Sequence, residues 1–129
     1  MVSEPGERLA ILVWAAEPEA PQRCATPFYF AAAAAAMDCE VEMYFTAASV
    51  RLLEAGVAEA LHADPRAGKS VARFLQEAHA LGVRMYACPT AMAACELSAA
   101  RVRPECAGQA GAASYLGRVL DAAWHTIEF

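Results

Sequence analysis

One cysteine of this sequence stands where an extended segment is followed directly by the start of a helix. Residues 82–90, GVRMYACPT, have the pattern of a short strand that stops at Cys88 and is followed by Pro89. Proline suits the first position of a helix, because its φ is already fixed and its missing N–H would have no partner there. The free N–H groups and the positive end of a helix favour thiolate over thiol. Cys88 is therefore the candidate nucleophile, and the alternative is an inert, buried structural cysteine.

Two other thiols are candidates for a supporting role beside Cys88. Cys106 would lie beside the carboxyl end of the Cys88 strand if the two strands that carry them are neighbours. Cys24 follows the first strand, at the same end of the predicted sheet, and is the second candidate auxiliary thiol. Cys95 lies seven positions beyond Cys88. That spacing is about 10 Å along a helix, so a direct disulfide between them would require the helix to unwind.

Composition argues against several kinds of site. The net charge of −5 and the single lysine, Lys69, argue against direct nucleic-acid binding, which depends on a basic surface. The three histidines are scattered and no Cys-x-x-Cys occurs, so no metal site is expected. Gly68, Lys69 and Ser70 are interpreted as a turn and helix cap, and the first strand lacks a Gly-x-Gly-x-x-Gly, so no cofactor is expected.

Composition also bears on location and assembly. The longest apolar run is shorter than the roughly 20 residues that a membrane-spanning helix needs. The odd number of cysteines and the absence of a secretory signal predict reduced thiols and a cytoplasmic location. Hydrophobic residues make up 58% of the chain, which is high for a soluble monomer of this size. Part of the surface is therefore expected to be an interface between copies of the chain.

Strands and helices are predicted to alternate along the chain. Residues 9–14 are a continuous apolar run, as expected for a strand that is covered on both faces and central in a sheet. Thr26 and Pro27 are predicted to be the N-cap and first residue of a helix that runs to about Met37. The remaining predicted elements are strand 39–45, helix 47–61, helix 70–81, the strand before Cys88, helix 90–97, a brief strand at 105–107, helix 111–124 and strand 125–129.

This order predicts an α/β fold, a three-layer α/β/α sandwich with a mostly parallel sheet of about five strands. Residues 1–129 are expected to form a single domain, since a chain of 129 residues can bury a core of its own. In parallel sheets, ligands bind at the carboxyl ends of the strands. Cys88 is predicted to lie at one of these ends.

Three stretches of the chain carry a resemblance to a known family. They are residues 41–46 with 50–53, residues 74–78 with 81–88, and the terminal strand 126–129. Together they resemble the DsrE/DsrF-like family of sulfur-relay proteins over nearly the whole chain. The resemblance implies a parallel α/β/α sandwich and assembly into homotrimers or hexamers. It also implies that a persulfide is carried during sulfur relay on the cysteine that corresponds to Cys88.

The leading hypothesis is a cytoplasmic sulfur carrier or sulfurtransferase. Cys88 would attack a sulfane donor as thiolate, hold a persulfide and pass the outer sulfur to a cysteine of a partner protein. Two alternatives stay open. One is a non-catalytic, oligomeric module that binds a small ligand or a partner, with Cys88 inert. The other is a thiol redox sensor that forms a disulfide between Cys88 and either Cys106 or Cys24.

Overall fold

The computed structural model describes residues 6–129, which form an α/β fold around one sheet. The five strands are parallel and lie in the order β4-β3-β2-β1-β5. They are β1 (Arg8–Val13), β2 (Glu40–Phe45), β3 (Arg84–Ala87), β4 (Cys106–Gln109) and β5 (Trp124–Glu128). The four α-helices are α1 (Thr26–Ala36), α2 (Val71–Ala80), α3 (Pro89–Ala94) and α4 (Ala112–Val119). The predicted fold class is confirmed, and β1 is an inner strand as expected, although β2 occupies the middle of the sheet.

Alternate residues of the inner strands pack against different helices. Ile11, Met43 and Phe45 belong to the main core together with residues of α1 and α2, and the Phe45 ring stacks on Phe28 of α1 with centroids 5.6 Å apart. The other face carries a smaller cluster that includes Tyr44 and is covered by Tyr115 of α4. This alternation, with period two, is what a sheet covered on both faces requires. It places α4 on the opposite side of the sheet from α1 and α2.

The predicted helix over residues 47–61 is wrong. The segment forms two short 3-10 helices, Ala47–Leu53 and Ala58–Ala60, separated by Gly56 at a φ of +88°. Between these two turns its backbone pairs with another part of the chain: the Arg103 N–H donates to the Leu53 carbonyl and the Ala55 N–H to the Arg101 carbonyl. Long-range pairing has therefore overridden a helical pattern of apolar residues.

Helix boundaries also differ from expectation in places. Thr26 is the first residue of α1 and its side chain makes no cap, so the predicted N-cap is wrong. Ser70 caps α2 as expected, with its Oγ accepting a hydrogen bond of 3.3 Å from the Arg73 N–H. The last helix ends at Val119, earlier than predicted, because β5 begins at Trp124 and pairs with β1.

A buried carboxylate attaches α4 to the sheet. Glu42 of β2 is 3% exposed and accepts two hydrogen bonds from the Arg118 guanidinium, 2.9 and 3.1 Å long. It also accepts hydrogen bonds from the Tyr44 hydroxyl (2.6 Å) and Arg84 Nη2 (2.9 Å). Arg118 in turn lies over the Trp124 ring, 4.1 Å from its centroid. A charge removed from water in this way is tolerated only because it is fully paired.

Replacing Glu42 by Gln tests this attachment. Burial alone would raise the pKa of the Glu42 carboxyl, but the hydrogen bonds from Arg118 and Tyr44 and the charge of Arg84 lower it below its ordinary value of 4.5. A lowered carboxyl pKa stabilises the folded state above the unfolded-state pKa, and this stabilisation is lost as the pH falls through the folded-state pKa. We expect Glu42→Gln to reduce the free energy of unfolding at neutral pH by about 2 kcal/mol.

Urea unfolding at neutral pH and again below about pH 4.5 measures the effect. The difference between wild type and Glu42→Gln should shrink as the pH falls further below 4.5, since the stabilisation by the Glu42 carboxylate is lost progressively towards its lowered pKa. Glu77→Gln is the matched control, because Glu77 pairs with Lys69 on the exposed surface. An equal effect of the two substitutions would contradict the role given to Glu42.

Candidate functional site

A cavity of about 510 Å³ opens at the carboxyl ends of the strands, on the face covered by α4. Cys88 lines it from the end of β3, and Thr46 lines it from the segment after β2. The first residues of α4 and the side chains of Tyr115 and Leu116 form the opposite wall. The predicted position of Cys88, at the carboxyl end of a strand, thus adjoins this cavity.

Backbone hydrogen bonds hold Cys88 between a strand and a helix. Its N–H donates to the Phe45 carbonyl at 2.9 Å, which extends the pairing of β3 with β2 by one residue. Its carbonyl accepts from the Met92 N–H at 2.9 Å and so closes the first turn of α3. Cys88 is the N-cap residue of α3, with extended φ and ψ, and Pro89 opens the helix as the sequence predicts. The thiol is held by regular secondary structure and is half-buried.

Hydrogen-bond donors lie near the sulfur of Cys88, although its side chain makes no regular cap hydrogen bond to the first turn of α3. Burial alone would raise the pKa of this thiol, but the nearby donors have the larger combined effect and lower the pKa from 9.0. They are the Ala91 N–H, the Thr46 hydroxyl, and both the N–H and the hydroxyl of Thr90. Donors that point at a sulfur stabilise its anionic form. These donors therefore favour the thiolate form of Cys88 relative to that of an ordinary cysteine.

The sulfur can be approached from two sides. A second cavity, of about 500 Å³, lies over α3 and is lined by Cys88, Ala47, Thr90 and Ala94. Gly111, at the start of α4, lines both cavities. A Cβ at Gly111 would lie 3.9 Å from the Cys88 sulfur and 3.7 Å from Pro89 Cδ. The hydrogen atom in place of a side chain at residue 111 keeps space open directly beside the thiol.

The candidate auxiliary thiols lie elsewhere. Cys24 is fully buried and donates to the Glu17 carbonyl at 3.2 Å, and burial raises its pKa to about 11. Cys106 is the first residue of β4 and pairs with Met85, so it does not lie beside Cys88. It lines a separate cavity of about 300 Å³, and burial raises its pKa as well. Neither thiol lines a cavity with Cys88, and an auxiliary role for either stays a prediction.

The sequence indicates Cys88 as a candidate nucleophile but not the groups that lower its pKa. Thr46 directly follows β2 and Thr90 lies in the first turn of α3. Both positions could have been singled out, since hydroxyls after a parallel strand or in a first helical turn face the carboxyl edge of the sheet. Tyr115 and Gly111 could not, because their contact with the site depends on where α4 packs.

Within residues 6–129, no group of three His, Cys, Asp or Glu side chains could hold a metal ion.

Removing the two hydroxyl donors tests the cause of the lowered pKa. Thr46→Val with Thr90→Val keeps the side-chain volume but leaves the sulfur with only its backbone donors. We expect the pKa of Cys88 to rise, because burial is then opposed by fewer hydrogen bonds. The pH dependence of Cys88 alkylation by iodoacetamide, followed by peptide mass spectrometry, measures it, with Thr126→Val elsewhere in the cavity as control. An unchanged alkylation profile in the double variant would show that the hydroxyls do not act on the thiol.

Adding one methyl group beside the sulfur tests the access route. Gly111 has a φ of −110°, which any residue adopts, and the added Cβ makes only ordinary van der Waals contacts, so Gly111→Ala should fold normally. We expect alkylation of Cys88 by a bulky maleimide to slow several-fold, while iodoacetamide is little affected, because only the larger reagent needs the blocked space. Gly117→Ala is the matched control, since its Cβ would meet nothing within 4 Å. Equal slowing with both reagents would mean that Gly111 does not control access.

Comparisons with known proteins identify the family. The chain superposes on the ychN protein from E. coli with a TM-score of 0.74 and 14% sequence identity, covering 95% of this chain and 99% of that one. It superposes on MTH1491 from Methanobacterium thermoautotrophicum, a protein of unknown function, with a TM-score of 0.65 and 13% identity, covering 95% and 98%. These likenesses show a shared fold. No curated protein matches the chain.

No helix within residues 6–129 is long and apolar enough to cross a membrane.

The profile of the DsrE/DsrF-like family matches residues 9–129. This range includes every strand except the first residue of β1, together with Cys88 and both cavities that it lines. The resemblance inferred from the sequence is thereby confirmed: the chain belongs to the DsrE/DsrF-like family.

Proposed function

We propose that this protein carries sulfane sulfur as a persulfide on Cys88 and delivers it to a cysteine of a partner protein. The observation that carries the proposal is the environment of the sulfur. Hydrogen-bond donors of Thr46, Thr90 and Ala91 lower the pKa of the thiol, and the thiol faces a cavity of about 510 Å³. Membership of the DsrE/DsrF-like family supports the same class of function, since it suggests a role in sulfur relay.

The chemistry needs Cys88 as a nucleophile and then as a leaving group. In loading, the Cys88 thiolate attacks the outer sulfur of a donor persulfide. A new S–S bond forms on Cys88, the donor's S–S bond breaks, and the donor leaves as a thiolate. In delivery, an acceptor thiolate attacks the outer sulfur and Cys88 leaves as a thiolate. A lowered pKa makes Cys88 a better leaving group in the second step, and no oxidant or reductant is consumed in either step.

The alternatives have less support from the geometry. A redox sensor needs a second thiol within disulfide distance of Cys88. Among the described residues, Cys88 is the one cysteine that lines either of the two adjoining cavities. An inert binding module would have no use for donors that lower the pKa of a cavity thiol, although the same cavity could hold a ligand.

Self-association and a cytoplasmic location stay predictions. An apolar surface that could pair with another copy lies along α4 and the edge strand β5. Leu116, Val119 and Leu120 are between 43% and 85% exposed, and Ile127 of β5 is 38% exposed. Contiguous exposed apolar residues of this kind are typical of protein interfaces. They agree with the proposed homotrimer or hexamer without fixing its size.

Incubation with inorganic polysulfide under anaerobic conditions, followed by intact and peptide mass spectrometry, tests the persulfide. We expect the mass of one sulfur atom to be added at Cys88 and to be removed by a thiol acceptor. Cys88→Ser should abolish this adduct. Cys95→Ser is the matched control and should retain it, because Cys95 lies at the far end of α3 and lines neither cavity. A sulfur adduct that persists in Cys88→Ser would contradict the proposal.

A further inference from the structure

The cavity beside Cys88 is apolar over most of its wall and carries a charge at one position. Its described wall is formed mainly by aliphatic and aromatic side chains, among them Leu12, Phe45, Leu116 and Val119. The one Asp, Glu, Lys or Arg among the described lining residues is Glu128, the last residue of β5. A volume of about 510 Å³ is that of a site for a small organic molecule.

Glu128 and Cys88 lie at opposite ends of this cavity. Glu128 pairs with Leu12 of β1. Leu12 pairs with Tyr44 of β2, and Tyr44 pairs with Tyr86 of β3, two residues before Cys88. Glu128 and Cys88 are therefore three strand spacings apart across the sheet and two residues apart along it, or about 16 Å between backbones. Both side chains line the same cavity, so one molecule bound in it could contact both.

Among the residues that the structure describes, no cationic side chain pairs with Glu128. The side chain is exposed, and within residues 6–129 no Lys, Arg or His forms an ion pair or hydrogen bond with it. Arg23, at the same end of the sheet, lines a different cavity together with Phe129. The carboxylate is therefore available to a ligand that occupies the cavity of Cys88.

The charge pattern discriminates between classes of sulfur donor. An anionic donor such as thiosulfate would approach the Cys88 thiolate and Glu128 with no described cation in the wall to offset the repulsion. An organic donor with a positively charged group could meet Glu128 at one end while its sulfur reaches Cys88 at the other. Because Glu128 is exposed, its attraction for a cationic group is modest and is screened by salt. The apolar wall between the two ends also favours a carbon skeleton over an inorganic ion.

We propose that the cavity selects small organic sulfur donors with an apolar body and a cationic group, and that Glu128 is the residue that determines this specificity. The inference rests on the proposed function, because it names the class of donor for the same thiol. Glu128 binds the cation and has no part in breaking or forming the S–S bond. Its removal should change which reagents reach Cys88 while leaving the intrinsic reactivity of the thiol intact.

Thiol–disulfide exchange with small disulfides of different charge tests the inference without requiring a persulfide. The Cys88 thiolate attacks one sulfur of the reagent, a mixed disulfide forms and one reagent thiolate leaves. The probes are cystamine (cationic), 2-hydroxyethyl disulfide (neutral) and dithiodiglycolate (anionic). The rate at Cys88 is read by peptide mass spectrometry and divided by the rate at the same cysteine in urea-unfolded protein, which removes the intrinsic reactivity of each reagent.

In wild-type protein we expect the normalised rate to be highest with cystamine, intermediate with the neutral disulfide and lowest with the anionic disulfide. Glu128→Gln should lower the cystamine rate roughly two- to five-fold relative to the neutral reagent. Added salt should reduce the wild-type preference and leave the variant unaffected. Glu7→Gln is the matched control, since it makes the same charge change before β1, at the opposite end of the sheet, and should behave as wild type.

Two results would overturn the inference. One is a wild-type preference for the anionic disulfide, and the other is a cystamine preference that survives Glu128→Gln. Iodoacetamide alkylation of Glu128→Gln at Cys88 should match wild type, which excludes misfolding as the cause of a lost preference. A charge preference without any persulfide on Cys88 would contradict the sulfur-carrier proposal alone. A persulfide on Cys88 without charge preference would contradict the role of Glu128 alone.

Discussion

The opposition between burial and hydrogen bonding at one sulfur atom is the constraint on which this site depends. Cys88 is drawn partly out of water by the sheet and by α4, which on its own would keep the thiol protonated. The donors from Thr46, Thr90 and Ala91 reverse that effect. They can do so because the end of β2 and the first turn of α3 converge at the carboxyl edge of the sheet. The parallel topology places Cys88 at this edge of the sheet, and this placement brings it near the donors that lower the pKa of its thiol.

The cavity beside the thiol depends on a second, more distant interaction. The wall opposite the sheet is formed by α4, from Ala112 to Val119, and α4 is attached to β2 through Arg118 and Glu42. The aromatic ring of Tyr115, on the same helix, packs edge-on against Tyr44, with centroids 5.6 Å apart. A buried ion pair of this kind contributes less to net stability than its Coulomb energy suggests. Its effect here is to fix where one helix lies, and that placement leaves room for a ligand at Cys88.

Local patterns made part of this site predictable. The apolar strand that stops at Cys88 and the proline after it act within a few residues, so the sequence alone indicated a thiol at the start of a helix. The order of strands and helices likewise predicted a parallel sheet with helices on both faces. The segment 47–61 misled because its apolar spacing suits a helix, whereas its backbone pairs with residues 101–103. The Glu42–Arg118 pair joins residues 76 positions apart, and no local pattern announces it.

The two ends of the cavity show the same limit. Cys88 could be named from its neighbours in sequence, but Glu128 becomes part of the site only because β5 pairs with β1 on the far side of the sheet. Strand order and register decide such placements, and single sequences specify them weakly. The candidate thiol can therefore be recognised in the sequence, whereas the cavity beside it can be recognised only in the tertiary structure.

The pH dependence of alkylation at Cys88 in the wild-type protein tests the central claim most directly. Rates measured by peptide mass spectrometry report the thiolate fraction of this cysteine separately from the other four. We expect an apparent pKa below the ordinary thiol value of 9.0, because the donors near the sulfur outweigh its burial. A midpoint at or above 9.0 would show that burial dominates, and it would contradict the assignment of Cys88 as the sulfur-carrying residue.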